Sequence, residues 1–258
     1  MTVRGFIFLI CSLVATEANA WGPEGHRVSG MIADQNLLPE VKRKIQVDFN
    51  INSLADVSVW ADRVRDEREN GRWHYCNIKE SETTYDRERD CPHGECVVEV
   101  IKRFKNILSK DDFSAAQKEE ALKYLVHFVG DIHQPLHLGN KIDFGGGTIR
   151  VMYLGKTSTL HYLWDGGFIN FEDQPLKPYS QKLSARISKE DKIEWSRASI
   201  DAWANESRKY ALEVAYPLET SSRHGLYKNY ITKSREMMEL RLSQAGIRLS
   251  HLLNEGFK

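Results

Sequence analysis

Apolar residues recur at helical spacing along most of this chain. Between residues 26 and 37 they fall at Val28, Ile32 and Leu37, behind a Pro- and Gly-containing segment suited to the start of a helix. Residues 39–47 and 53–66 read as two further helices, the second opened by Ser53 as N-cap with Asp56 three places on. After Gly71 the segment 73–78 looks extended, and the polar stretch 79–94 reads as a loop. Helices are expected over 96–109 and 114–133, the latter stopped by Pro135. Gly145, Gly146 and Gly147 break the helical period, and the alternation from Thr148 to Tyr153 suggests a short strand. Helix resumes at 157–169, Pro175 and Pro178 mark another loop, and long amphipathic helices follow at 193–215 and 222–254. No repeat, low-complexity tract or linker interrupts the series. The expectation is an all-α (mainly α) fold with a short strand pair, in a single domain spanning residues 21–258.

The first 20 residues do not fit that series. Arg4 supplies a basic start, Gly5 to Ala15 an apolar run, and Ala18-Asn19-Ala20 a small-x-small cleavage site, which together read as a secretory signal. The run is shorter than the roughly 20 residues a membrane helix needs. No other stretch is long and apolar enough, so no membrane anchor is expected, and the protein reads as secreted or periplasmic. Cleavage after Ala20 would make Trp21 the N-terminus, whose α-amine and adjacent carbonyl can together chelate a metal.

Charge narrows the function classes. Lys and Arg total 36 and so do Asp and Glu, and a signal carrying Arg4 and Glu17 removes one of each. Nonspecific binders of duplex DNA normally show a basic excess, so neutrality argues against that class. Bound metal ions would add positive charge that a residue count does not see. Of the 4 cysteines, Cys11 belongs to the signal, and Cys91 and Cys96 enclose a tight loop that an oxidising compartment would close as a disulfide. Cys76 is left without a partner and reads as a buried free thiol.

Histidine and aspartate residues fall in blocks: Trp21 to His26, Trp60-Ala-Asp62 with Trp73-His74, His127 to Asp131 running on to His137, and His161 to Asp165. Residues four apart on a helix share a face, so His127 with Asp131, and His161 with Asp165, each point one way. Such pairs are zinc-ligand patterns, and several in one chain point to a cluster of ions and hydrolytic chemistry. A single pair of this kind is more often a hydrogen-bonded structural pair. The joint occurrence is what makes a wholly structural account improbable. His93, His224 and His251 lack ligand-spaced neighbours and read as surface or packing residues, while His133 points off the ligand face and reads as a support to the ligands.

Taken together, the blocks W-G-x-x-G-H, W-A-D-x-V-R, W-H-Y, H-F-V-G-D-I-H-Q-P-L-H and L-H-x-x-W-D resemble the zinc-dependent single-strand-specific nucleases and 3′-nucleotidases of the mung bean nuclease type. That family shares its helical fold and trinuclear zinc site with bacterial zinc phospholipase C. The resemblance runs in order and spacing over residues 21–165. It implies three Zn2+ ions: one on Asp62, His74, His127 and Asp131; one on His137, His161 and Asp165; one on the amine and carbonyl of Trp21 with His26 and a bridging Asp131. It also implies hydrolysis of single-stranded RNA and DNA to 5′-phosphate products, and of 3′-nucleotides, by a monomer. Asp62 and Arg65 are the implied catalytic residues, with Arg65 steadying the phosphate. Tyr75 matches the base-stacking position. Asn77 stands where fungal members carry an aspartate that bonds the base, and an amide donates as well as accepts. Gly147 stands where an asparagine is common.

Two rivals accompany this reading. A phospholipase C would use the same metals on phospholipid headgroups, but would have no use for Tyr75 as a base platform. A zinc-storage or sensing protein would show no phosphodiesterase activity at full zinc loading.

Overall fold

A computed structural model describes residues 21–170, 175–218 and 225–257. The expected signal and His224 lie outside the described residues. The chain opens with α1 (Pro23–Asp34), α2 (Pro39–Phe49), α3 (Leu54–Val57) and α4 (Trp60–Val64). A tight turn at Gly71–His74 and the short α5 (Arg87–Asp90) precede α6 (Val97–Ser109) and α7 (Ala115–Asp131). A second tight turn, Pro135–Leu138, leads to a hairpin of β1 (Arg150–Tyr153) and β2 (Lys156–Thr159). Next, α8 (Leu160–Tyr162) widens through a π turn at Leu163–Gly167 into α9 (Phe168–Asn170). The remainder is α10 (Leu176–Ala185), α11 (Lys189–Arg197), α12 (Ile200–Tyr210) with a π turn at Ala211–Ala215, and α13 (Lys228–Gly256). The fold is mainly α, with one antiparallel strand pair in which Arg150 faces Thr159 and Tyr153 faces Lys156. No helix among the described residues is long and apolar enough to cross a membrane.

α7 is the axis on which the site is built. Its start is fixed by a capping box: the Ser114 hydroxyl accepts from the Gln117 amide, and the Gln117 side chain accepts from the Ser114 amide at 2.9 Å. From Ala121 onward most of the helix is buried, and it ends at Asp131, four residues before Pro135. Tyr124 and Phe128 stack at 5.3 Å and continue onto Phe104 of α6, while the Trp73 ring meets Tyr124 and Phe104 edge-on. Trp60 packs edge-on against the same Tyr124 at 5.0 Å. Aromatic pairs of this geometry contribute about 0.5–1.5 kcal/mol each beyond the area they bury. Trp60 and Trp73 therefore pin two otherwise short segments to α7, and those segments carry Asp62 and His74.

A second apolar cluster joins α1, the hairpin, the π turn and α13 through Val28, Ile32, Val151, Trp164, Phe168 and Leu242. Between α12 and α13 lies a buried polar network. Glu206 binds both Arg241, at 2.6 Å, and Arg248. Arg248 also donates to His133 Nε2 at 2.8 Å, and Arg241 Nε donates to the His133 carbonyl at 3.2 Å. Burial and the two arginines hold the His133 imidazole well below its ordinary pKa, so it stays neutral. His133 thus belongs to this network, with Trp203 against its ring at 5.5 Å, and supports no ligand through its side chain. That corrects its expected role.

Other expectations change in detail. The helix expected over 53–66 breaks at Ser58 and Val59, because the Ser58 carbonyl leaves the helical ladder to accept from His127 Nδ1 at 2.7 Å. Of 73–78, only the part after His74 is extended, where Cys76 and Ile78 donate to the carbonyls of His137 and Gly139 at 2.8 Å. The first part of 157–169 is β2. The helix of 193–215 is two helices, since Ala198 turns extended and Ser199 caps α12. Pro178 does not mark a loop. It sits in the first turn of α10, where a missing N–H costs no intrahelical bond.

The Cys91–Cys96 disulfide is present and Cys76 is a buried free thiol, its pKa pushed far up by burial and by Asp90 and Glu99. Asn205-Glu-Ser207, which has the Asn-x-Ser pattern of a glycosylation acceptor in a eukaryotic host, lies inside α12, with Ser207 fully buried and its hydroxyl donated to the Ile132 carbonyl.

Candidate metal centre

Three groups of histidine and aspartate converge where α1, α4, α7 and the two tight turns meet. In the first, His74 Nδ1 lies 3.1 Å from His127 Nε2 and 3.0 Å from Asp131 Oδ2. Asp62 Oδ1 stands 3.6 Å from the same His74 nitrogen and 3.5 Å from His127 Nε2, and His127 Nε2 is 3.3 Å from Asp131 Oδ2. A zinc ion at about 2.0–2.2 Å from four ligands requires those ligands to be roughly 3.3–3.5 Å apart. The five separations, 3.0 to 3.6 Å, outline that tetrahedron.

The second group is His137, His161 and Asp165. Asp165 Oδ2 is 3.4 Å from His161 Nε2, and its Oδ1 is 3.8 Å from His137 Nε2. The third centres on His26 of α1. Its Nε2 is 3.3 Å from Asp131 Oδ1, and its ring stacks on His127 with centroids 3.9 Å apart. His26, Asp62 and His127 also converge as a possible set. Asp131 therefore faces two groups at once, one through each carboxylate oxygen. Trp21 is fully buried beside them, and the Gly22 amide that follows it donates to the Asp165 carbonyl at 2.6 Å.

The donor set fits metal ions on two further observations. First, the outward nitrogens of three rings are already committed. Nδ1 of His127, His137 and His161 each lies 2.7 Å from a backbone carbonyl, of Ser58, His74 and Gly145 respectively. A carbonyl only accepts, so each Nδ1 carries a proton and each Nε2 is the nitrogen turned inward, free to ligate once it carries no proton. Second, Asp62 Oδ1, Asp131 Oδ1, His26 Nε2 and His137 Nε2 are buried with no hydrogen-bond partner. Buried polar atoms are almost always satisfied. Each of the four belongs to one of the three groups, as the donors of a cation-binding set would.

Electrostatics separates the two principal carboxylates. Burial alone would raise the pKa of Asp131, but His127, His26 and His74 hold it well below the ordinary carboxylate range. Asp165 has Gln134 for support, and burial lifts it well above that range. Burial disfavours the charged form of His127 too, yet Asp131 and Asp62 carry its pKa up to about 9. Burial pushes His137 down to about 3, keeping it neutral and able to ligate.

The groups open onto a cleft of about 160 Å³ lined by Arg65, His74, Tyr75, Asn77, His137 and His161, with Phe144 on its rim. Larger depressions exist, including one of about 520 Å³ beside α12, but none of the metal-capable groups lines it. The expected histidine and aspartate ligands are thus brought together, with Trp21 buried beside them, and Arg65, Tyr75 and Asn77 share the cleft above. Sequence reading missed four contributors. Gln134 donates to Asp165 Oδ1 at 2.6 Å, and the Ser58 carbonyl orients His127. Gly145, at φ +65°, orients His161 through its carbonyl, and a β-carbon there would lie 2.3 Å from the Leu136 carbonyl. Phe144, 67% exposed, lines the cleft together with Tyr75, and an aromatic residue abutting three glycines was the signal available for it.

A model of the S1/P1 nuclease family matches residues 21–258, the whole of the expected mature chain. The chain belongs to the S1/P1 nuclease family. It is 30% identical to Endonuclease 1 of Arabidopsis thaliana over 97% of this chain and 91% of that protein. Nuclease P1 of Penicillium citrinum is 27% identical over 91% of this chain and 97% of its own length. Nuclease S1 of Aspergillus oryzae is 29% identical over 91% of each. Within the S1/P1 nuclease match fall all three ligand groups, the cleft residues and the helical C-terminal half.

Proposed function

We propose that this member of the S1/P1 nuclease family is a zinc-dependent phosphodiesterase. It hydrolyses single-stranded RNA and DNA to 5′-phosphate products and removes phosphate from 3′-nucleotides. The observation that carries the reading is the convergence of three histidine–aspartate groups beneath a cleft walled by an arginine and an exposed tyrosine. Trp21, His26 and Asp131 would hold one zinc, Asp62, His74, His127 and Asp131 a second, and His137, His161 and Asp165 a third. Zinc bound there supplies Lewis-acid polarisation of a phosphoryl oxygen and a nucleophile at neutral pH.

The chain's own residues supply the rest. Arg65 lines the cleft and Asp62, its side chain 15% exposed, faces His74 below it; both would act on a phosphate bound there, and the guanidinium matches its spread negative charge. Tyr75 and Phe144 offer aromatic faces to a base, worth roughly 1–3 kcal/mol per base for any sequence. A base must leave its duplex to reach them, which favours single strands. The half-buried Asn77 amide offers both a donor and an acceptor to the base edge. The expected signal makes the enzyme secreted or periplasmic.

The test uses protein beginning at Trp21 and a form with one extra residue before it, zinc being counted in both. The Trp21 form should bind three zinc ions and cleave single-stranded oligonucleotides faster than duplexes. The extended form, which offers an amide in place of an amine, should bind one fewer and turn over far more slowly. Hydrolysis of phosphatidylcholine without nucleotide turnover would replace this reading with a phospholipase C. Full zinc loading with neither activity would leave a zinc-storage protein.

A further inference from the structure

The cleft does not end at Tyr75. Past Tyr75, Asn77 and Phe144, which line both, it continues into an outer depression of about 340 Å³ that also holds Arg72, Lys141, Asp90 and Glu95. The four charges there are not equivalent. Asp90 is ion-paired with Arg89 at 2.7 Å; Glu95 is ion-paired with Arg103 at 2.7 Å and accepts a hydrogen bond from the Trp73 indole N–H. Both carboxylates are thereby neutralised. Among the described residues, neither Arg72 nor Lys141 has a carboxylate partner. The outer depression thus presents two unmatched cations, one from the tight turn before His74 and one from the segment after His137.

We propose that Arg72 and Lys141 form a second phosphate subsite. Its ligand is the 5′-phosphate of the nucleotide whose base stands on Tyr75 and whose 3′-phosphate lies over the histidine groups. This rests on the nuclease reading above. A nucleotide so placed carries one other ester oxygen, at its 5′ end, and in a strand that oxygen bears the next phosphate. The shared wall of Tyr75, Asn77 and Phe144 puts the two depressions within one nucleotide of each other. The enzyme would therefore distinguish a nucleotide inside a strand, or one 5′-phosphorylated, from one with a free 5′-hydroxyl.

The experiment compares thymidine dinucleotides with and without a 5′-phosphate on the zinc-supplemented enzyme at several salt concentrations. Two exposed charge interactions of about 0.2–1 kcal/mol each predict a kcat/KM ratio of roughly 2- to 30-fold in favour of the 5′-phosphorylated form at low salt. In Arg72→Gln/Lys141→Gln that ratio should fall to near one. The slope of log kcat/KM on log salt for the phosphorylated substrate should shrink by about 0.7, the value for one phosphate that the enzyme no longer neutralises. Each single variant should show part of the same change. Equal rates on the two dinucleotides, or a ratio that survives the double variant, would overturn the subsite while leaving the nuclease reading intact. No hydrolysis of either dinucleotide by the unaltered enzyme would overturn both.

Discussion

Gly130 of α7 lies directly against the His26 imidazole of α1, so closely that a β-carbon at residue 130 would stand 2.7 Å from Nδ1 and 3.0 Å from Cε1. A glycine inside a buried helix costs about 1 kcal/mol relative to alanine. Here it is the space through which a ligand from one helix reaches across another.

Gly130→Ala sets two effects against each other. Helix propensity favours alanine by about 1 kcal/mol, whereas overpacking costs roughly 1–3 kcal/mol and moves the His26 ring. The clash should win. Metal analysis should show loss of the zinc that His26 would hold, with a net destabilisation of up to about 2 kcal/mol. Full zinc content would mean that the His26 ring does not need its present position to bind.

Asp131 is the residue whose loss should do most harm. Its two oxygens face different groups, Oδ1 toward His26 at 3.3 Å and Oδ2 toward His74 at 3.0 Å. Asp131→Asn keeps the size of the side chain but replaces one oxygen with an NH2 that cannot ligate. Two zinc sites should weaken together and turnover should drop to near background. A variant with three zinc ions and ordinary turnover would rule out the bridging role.

How much of this site was legible in the sequence depends on whether a side chain or the backbone does the work. His127 with Asp131, and His161 with Asp165, announce themselves because four-residue spacing on a helix has one geometric outcome. His74 and Asp62 were legible as members of the clustered groups although their local structure differs from the expected one. A 3₁₀ turn and a two-part helix leave little periodicity in so few residues. The orienting groups were harder to see. The carbonyls of Ser58, His74 and Gly145 have no residue type to betray them, and their positions follow from a break, a turn and a glycine that only tertiary packing explains. The split between α11 and α12 was hidden for a similar reason, since Ser199 as a cap breaks a period that amphipathicity alone would continue.

Gln134 shows what a single amide contributes to such a site. It donates to Asp165 Oδ1 at 2.6 Å while its own oxygen accepts from the Leu136 amide. Gln134→Ala should lower zinc affinity at the His137–His161–Asp165 group by about 10- to 100-fold, the usual effect of removing an orienting partner. Competition with a zinc chelator would read this directly, and unaltered affinity would assign Gln134 to turn formation alone.

Tyr75→Ala should leave zinc content unchanged and raise KM for short single strands by roughly 5- to 150-fold, the equivalent of 1–3 kcal/mol of stacking. Steady-state kinetics beside zinc analysis separates the two quantities. An unchanged KM would mean that Phe144, or another surface, holds the base.

One residue belongs to two ligand groups in different capacities. His74 turns its ring toward Asp131 and His127, while its carbonyl, 2.7 Å from His137 Nδ1, sets the tautomer of a histidine in the neighbouring group. Whatever tightens the His74 ring also steadies the peptide unit on which His137 hangs. Were zinc to fill these groups as proposed, the metal positions would be joined as linked equilibria, in which filling the His74 position would lower the ordering entropy left for the next ion to meet. Titrated with zinc, such a centre should pass from empty to full over a narrow range of free metal, with partly loaded molecules rare; three well-separated binding steps would show the groups to be independent.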